Sequence, residues 1–216
     1  MFEKSGEVFN IAKDNPPVAG CTVSKSVYCD GDDYIAYFSL AKGTDISAES
    51  YRYHKLMIVS DGAMEVYGCK NAWALDKGEC VITPTNAPIG VRTKTESVYT
   101  EISIRRNTVN DAVNIGEVFK LSELVPYQDG KIINMDVASN DKMKFVVMSF
   151  DKGTGLAEHA APGEALIFAL DGQGIIGYEG KEHIIRAGEN FKFDKNGRHY
   201  VKADGRFKMA LLLTLE

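Results

Sequence analysis

The sequence predicts an all-β chain folded as two tandem barrels that descend from one duplicated unit, and three observations carry that prediction. Motifs recur along the chain at one fixed offset. Short stretches rich in Val, Ile and Tyr alternate with Gly, Asp, Asn and Pro, the pattern of strands punctuated by turns. Helical periodicity is weak throughout, apart from a short turn expected at Leu121 to Pro126.

The repeat is the strongest of the three. Gly6-Glu7-Val8-Phe9 returns as Gly116-Glu117-Val118-Phe119, an offset of 110 positions. The same offset, without a gap, pairs Pro16 with Pro126, Gly20 with Gly130, and Lys42-Gly43-Thr44 with Lys152-Gly153-Thr154. It continues through Asp61-Gly62 with Asp171-Gly172, Gly78-Glu79 with Gly188-Glu189, Asn86 with Asn196, and Val91 with Val201. Self-similarity at a fixed spacing marks a repeated structural unit. The division that follows is a first barrel over residues 1–104, a linker over 105–115 and a second barrel over 116–216.

Within the first copy, YIAYFSLA, KLMIVSDGAMEVYG, ECVITP and VYTEISI read as strands; in the second, KFVVMSF, ALIFALDGQGIIGY, HIIRAGENFKF and KMALLLTL stand at matching places. Asp61-Gly62 and Asp171-Gly172 read as hairpin turns, because glycine reaches positive φ at low cost.

Composition narrows the function. The chain has 216 residues, 44% hydrophobic and 25% charged, as in globular proteins, and can bury a sizeable core. A net charge of -5 and the absence of any basic run argue against a nucleic-acid surface, which needs clustered Lys and Arg. No window approaches the roughly 18 apolar residues of a membrane span, and MFEKSGEVFNIAKD lacks an apolar stretch of signal-peptide length, so a cytoplasmic location is expected. Cys21, Cys29, Cys69 and Cys80 form no Cys-x-x-Cys pair and are expected to be reduced and mostly buried.

The order strand, Asp-Gly, strand, Gly-Glu, strand, loop, strand resembles a barrel of the cupin superfamily in both copies. The resemblance implies two double-stranded β-helix (jelly-roll) barrels, a two-domain bicupin. Its first motif is Gly, five residues, His-x-His, three or four residues, Glu, six residues, Gly; its second is Gly, five residues, Pro-x-Gly-x-x-His. The three His and the Glu hold one divalent metal in that superfamily, whose activities range over dioxygenases, decarboxylases, isomerases and sugar binders. Counted from Gly172 and Gly188, the second copy has His159, Ala161 and Ala165 at the first His, second His and Glu positions, Asn196 at the Gly and His199 at the last His, so two of the four ligands survive. Counted from Gly62 and Gly78, the first copy has Glu49, Tyr51, Lys55 and Ile89 at the four ligand positions, and none survives.

Two readings of the second barrel stay open. Either His159, His199 and Glu164 hold a divalent ion (Mn, Fe, Ni or Zn), three protein ligands being the usual minimum for a catalytic metal, or the two imidazoles bind or protonate a small polar ligand without a metal. Strand parity sets Glu164 against Ala165 on opposite faces, although Pro162-Gly163 can shift the register. Arg198 is a further ligand-binding candidate, able to meet an anionic group. The resemblance implies a sugar derivative or a carboxylate as the small molecule. In the first barrel, Glu49 and Lys55 are candidates for an ion pair where a metal once was, and Tyr51 and Tyr53 for residues of the barrel mouth. His54 and His183 read as structural. A homodimer is an open alternative to a monomer.

Overall fold

The computed structural model describes residues 1–30, 33–69, 71–104 and 108–215, and it is all-β: two tandem double-stranded β-helix barrels from an internal duplication. The first three residues of the expected linker, 105–107, lie outside the described residues. Two compact units emerge. One contains Met1–Phe2, Ile11–Asn107 and Asp111–Lys120, the other Glu3–Asn10, Thr108–Asn110 and Leu121–Glu216. Their chain segments interleave: residues 3–10, which chain order would give to the first barrel, belong to the second unit, and residues 111–120 belong to the first.

The first unit is built from two sheets. Strand Ser97–Ile104 lies between Asp33–Leu40 and His54–Asp61 in a six-stranded sheet, and Pro88–Arg92 lies between Asp45–Ser50 and Ala63–Tyr67 in a four-stranded one. In the second unit, Ala165–Tyr178 and Arg198–Thr214 are long enough to run through both layers, which joins nine strands into one continuous sheet.

Strand register reproduces the sequence repeat. Leu56 pairs with Ile102 and Leu166 with Leu212; Glu49 pairs with Ile89 and His159 with His199; Phe9 pairs with Asn190 and Phe119 with Cys80. Each pair maps onto its counterpart by the same offset, and even the register shift between Ile46 and Glu49 recurs between Leu156 and His159. A one-residue slip would turn every side chain to the other face, so this agreement fixes which residues face each interior. Asn86 and Asn196 also match, both left-handed at φ 56 and 62; Asn is among the few non-glycine residues that adopt this conformation readily.

Two expectations are corrected. Neither Asp-Gly pair is a hairpin turn: His54–Asp61 and Ala63–Tyr67, which flank Gly62, lie in different sheets, and around Gly172 the strand Ala165–Tyr178 pairs with Arg198–Thr214 on both sides, from Ala165↔Leu213 to Tyr178↔His199, with register shifts flanking Gly172. The glycine is a bulge that bends one strand from layer to layer. The reversal lies instead at Glu179-Gly180, where both residues have positive φ and Tyr178 pairs with Lys181, as a two-residue hairpin turn requires. Among the described residues the cysteines form no disulfide, but Cys21, Cys29 and Cys69 are exposed and Cys80 is buried. Cys29 sits on Thr22–Asp30, the last strand in the six-stranded order. The turn expected at Leu121 is a short 3-10 helix, Leu121–Glu123.

The bulge makes a prediction. A Cβ on Gly172 would stand 2.0 Å from the Arg206 carbonyl oxygen at φ +69, whereas Gly153, at φ +78, has nothing within 4 Å. Gly153→Ala should cost only the left-handed term, about 1 kcal/mol, and Gly172→Ala about 2–3 kcal/mol because backbone must also move. Urea unfolding of the two variants separates the contributions.

Each barrel has its own apolar core. In the first, Leu40, Met57, Val59, Val66, Leu75, Val81 and Tyr99 pack together; in the second, Phe150, Ile167, Ile176, Phe191, Phe193 and Phe207 do.

Candidate functional site

The second barrel brings His159 and His199 together. They are direct cross-strand partners of Gly155–Ala160 and Arg198–Thr214, with ring centroids 4.3 Å apart. Their environments differ. His159 is exposed, whereas His199 is 5% exposed and stacks on Phe193 at 4.0 Å and an interplanar angle of 20°. His159 Nδ1 lies 2.9 Å from the Ala157 carbonyl oxygen and His199 Nδ1 2.8 Å from that of Gly197. A carbonyl oxygen only accepts, so each Nδ1 carries the hydrogen and each neutral ring keeps its lone pair on Nε2. Burial holds the His199 pKa below its ordinary value; the Gly197 hydrogen bond works the other way, and the neighbouring His159 adds a smaller downward push.

The other two sequence candidates are placed elsewhere. Arg198 is exposed and its Nε donates to Glu158 Oε1 at 3.1 Å, an ion pair of two residues that each adjoin one of the histidines in sequence. Alternation along paired strands puts neighbours on opposite faces, which is why Arg198 and Glu158 find each other and not the imidazoles. Glu164 is held by Lys192, Oε1 to Nζ 2.6 Å, and Lys192 also meets Asp194 at 2.9 Å. Burial opposes ionisation of Glu164, yet the hydrogen bond and charge of Lys192 hold its carboxyl below the usual range. Ala165 and Phe193 belong to the core, so their neighbours Glu164 and Lys192 fall on the outer pleat.

These residues do not fit a divalent ion. Among the described residues no group of three or more His, Cys, Asp or Glu side chains could hold one. Two imidazoles are short of the three protein ligands of a catalytic site, the family positions Ala161 and Ala165 offer no donor atom, and the nearest sequence candidate already neutralises an ammonium. What the arrangement offers instead is two acceptor nitrogens beside a buried aromatic ring.

In the first barrel the four family positions are rebuilt. Lys55, 6% exposed, pairs with Glu101 at 2.9 Å and lies 3.5 Å from the centroid of the Tyr51 ring. The expected partner Glu49 instead accepts the Tyr51 hydroxyl at 2.6 Å. Tyr34 donates its hydroxyl to Glu101, and Tyr53 packs against both Tyr34 and Tyr51. The remaining histidines are structural in their contacts: His54 Nδ1 lies 2.6 Å from the Thr83 carbonyl oxygen, and the His183 ring packs 5.1 Å from Phe191.

Sequence reasoning missed Phe193, Lys192 and Glu101. A signal existed for the last: Glu101 alternates with Tyr99 and Ser103 in VYTEISI, on the parity of an inward-facing residue.

Residues 146–215 match the family model described as Cupin domain. A cupin 2 conserved barrel domain protein from Leptotrichia buccalis is 27% identical and superimposes with a TM-score of 0.88 over 99% of this chain and 98% of that one. A variant salicylate 1,2-dioxygenase from Pseudoaminobacter salicylatoxidans, solved with gentisate, is 12% identical with a TM-score of 0.66 over 96% and 81%. Protein Ylba from E. coli is 11% identical, with a TM-score of 0.63 over 96% and 89%. The last two likenesses are of fold alone. No curated protein sequence matches this chain, and no helix among the described residues is long and apolar enough to cross a membrane.

Proposed function

We propose, from the premise that this chain is a member of the cupin superfamily, that its C-terminal barrel binds a small polar metabolite without a metal, with His159 and His199 as the recognition pair. One observation carries the reading: two imidazoles 4.3 Å apart, each with Nδ1 committed to a backbone carbonyl, so that both Nε2 atoms remain to meet a ligand. A neutral imidazole accepts from a ligand hydroxyl or acid, and either ring, protonated, donates to an oxygen. The two rings are unequal by construction. Exposed His159 meets ligand and solvent together, whereas His199, clamped on Phe193 and kept neutral by burial, is the fixed acceptor.

The small residues complete the picture. Ala161 and Ala165 are both buried, and they stand where the resemblance implies a larger His and Glu. Concave sites with mostly apolar walls and a few convergent polar groups are the usual setting for small ligands.

The test combines metal analysis with calorimetry. Protein purified without chelator should carry less than about a tenth of an equivalent of Mn, Fe, Ni or Zn, and added metal should not raise this, because a two-nitrogen site holds divalent ions poorly. Among sugars, hydroxy acids and gentisate as probes, a binder should lose about 10- to 100-fold in affinity on His199→Ala, the effect of removing one hydrogen bond to a buried group. Stoichiometric metal that is lost in both Glu164→Gln and His199→Ala would instead establish the metal enzyme with His159, Glu164 and His199 as ligands. Ligand affinity unchanged in both histidine variants would overturn the recognition pair.

A further inference from the structure

The interior of the N-terminal barrel is polar where the fold does not require it. Along the inward face of its large sheet, Tyr34, Tyr99, Glu101, Ser103, Lys55 and Thr83 stand at the positions that Lys144, Met209, Leu211, Leu213, Ala165 and Phe193 hold in the second barrel. The same architecture is therefore satisfied by a mostly apolar lining in one copy. Replacing such a lining by a buried ammonium and carboxylate is unfavourable for stability, since each ion gives up its water. Polarity that folding does not need points to binding.

The groups form a graded column from solvent inward. Glu49 is exposed; Tyr34, Tyr51 and Tyr53 are half-buried; Lys55 and Glu101 are buried; Tyr99 is fully buried. Two hydrogen-bond donors in it are unused. The Lys55 ammonium has three N–H groups and, among the described residues, meets Glu101 with one and the Tyr51 ring with another. The Tyr99 hydroxyl has no hydrogen-bond partner among the described residues, and its side chain shares the strand face of Glu101. A buried hydroxyl left unpaired is rare and calls for a partner. The Tyr51 ring covers the ammonium, packs against Tyr53, and donates its hydroxyl to exposed Glu49.

We propose that the N-terminal barrel is a second ligand site, independent of any metal, in which Lys55 and Tyr99 donate to the carbonyl or hydroxyl oxygen of an uncharged small molecule that enters by displacing the Tyr51 ring. The aromatic lip of Tyr34, Tyr51 and Tyr53 receives the flat apolar face of that molecule. Charge selects against an anion. The single ammonium already neutralises Glu101, and Glu49 adds a second carboxylate at the entrance. Burial raises the pKa values of Tyr34, Tyr51 and Tyr99, and the negative charge of Glu101 adds to the shift in all three, so the lining resists further negative charge.

Benzamide and benzoate, isosteric but differing in charge, test the site on the full chain by titration against an isotope-labelled amide NMR spectrum. Benzamide should give saturable shifts at Tyr51, Lys55, Tyr99 and Glu101, and benzoate should bind at least about tenfold more weakly, the scale set by one unfavourable charge contact. Tyr99→Phe removes a hydroxyl without emptying space, so it should fold as the parent does and weaken benzamide about three- to tenfold. A merely structural Tyr99 leaves the affinity unchanged. Absence of saturable shifts up to the solubility limit of benzamide, shifts confined to the C-terminal barrel, benzoate binding as well as benzamide, or an unchanged affinity in Tyr99→Phe would each overturn the proposal.

Discussion

Lys55→Met is expected to destabilise the protein by about 3–5 kcal/mol in urea unfolding at neutral pH, because it strands the Glu101 carboxylate in a buried site without the ammonium that pairs with it. Lys55 and Glu101 have side chains 8% and 5% exposed, so solvent cannot take over the role of the ammonium. The Tyr34 hydroxyl still donates to Glu101, but a neutral donor does not balance a full charge. The double variant Lys55→Met with Glu101→Leu should recover most of the loss, since an apolar pair of similar volume is often no worse than a buried ion pair. The C-terminal barrel already illustrates that arrangement with Ala165 and Leu211 at the corresponding positions. A single variant that unfolds with the midpoint of the parent would show that the pair contributes nothing; a double variant as damaged as the single would show that lost packing, and not the stranded charge, is responsible.

The partner of Lys55 illustrates what the sequence could and could not supply. Glu49 and Lys55 stand at two metal-ligand positions that the resemblance implies, which made them the candidate pair, whereas Glu101 is diagonal to Lys55 across two strands brought together by the fold: Lys55 faces Ser103 and Met57 faces Glu101. Charge pairing of this kind needs the register, which depends on long-range strand contacts. The duplication, by contrast, was fully legible, because turn residues at a constant spacing constrain backbone geometry directly. Asn86 and Asn196 fall at equivalent left-handed positions for that reason. Asp171-Gly172 shows the limit of the same logic. A glycine with positive φ is demanded there, but by a bulge within a continuous strand, and only the pairing of Ala165–Tyr178 on both sides of it distinguishes bulge from turn.

For the histidine pair, spacing and parity both spoke in the sequence. Spacing nominated His159 and His199, and register makes them cross-strand neighbours. Parity opposed Glu164, and the carboxylate is indeed paired with Lys192. What no local pattern revealed was the Phe193 ring against His199, since the first copy has Thr83 at the equivalent position and a phenylalanine in a buried strand reads simply as core.

That ring stacks on buried His199, and Phe193→Ala is expected to change both stability and pH response in two measurements. Deleting a fully buried phenylalanine, 1% exposed here, should destabilise the protein by about 3–5 kcal/mol at neutral pH. It should also admit water to His199 and let its pKa rise toward the ordinary value of about 6.5, because burial is the leading cause of its depression and the adjacent His159 a lesser one. The sign follows from linkage. A folded-state pKa below the unfolded value means that the unfolded chain takes up the proton first, so the stability associated with neutral His199 is fully present above about pH 6.5 and is lost as pH falls from there through the folded pKa. In the parent, urea midpoints should therefore decline over this acidic window, beyond the decline of a His199→Phe control. In Phe193→Ala the contribution of His199 to that decline should shrink, and its ring resonance, followed by proton NMR, should titrate at higher pH than in the parent. His159→Ala should raise the His199 pKa by less than Phe193→Ala does. The opposite ranking would mean that charge repulsion between the two imidazoles, and not the dry aromatic face, keeps His199 neutral.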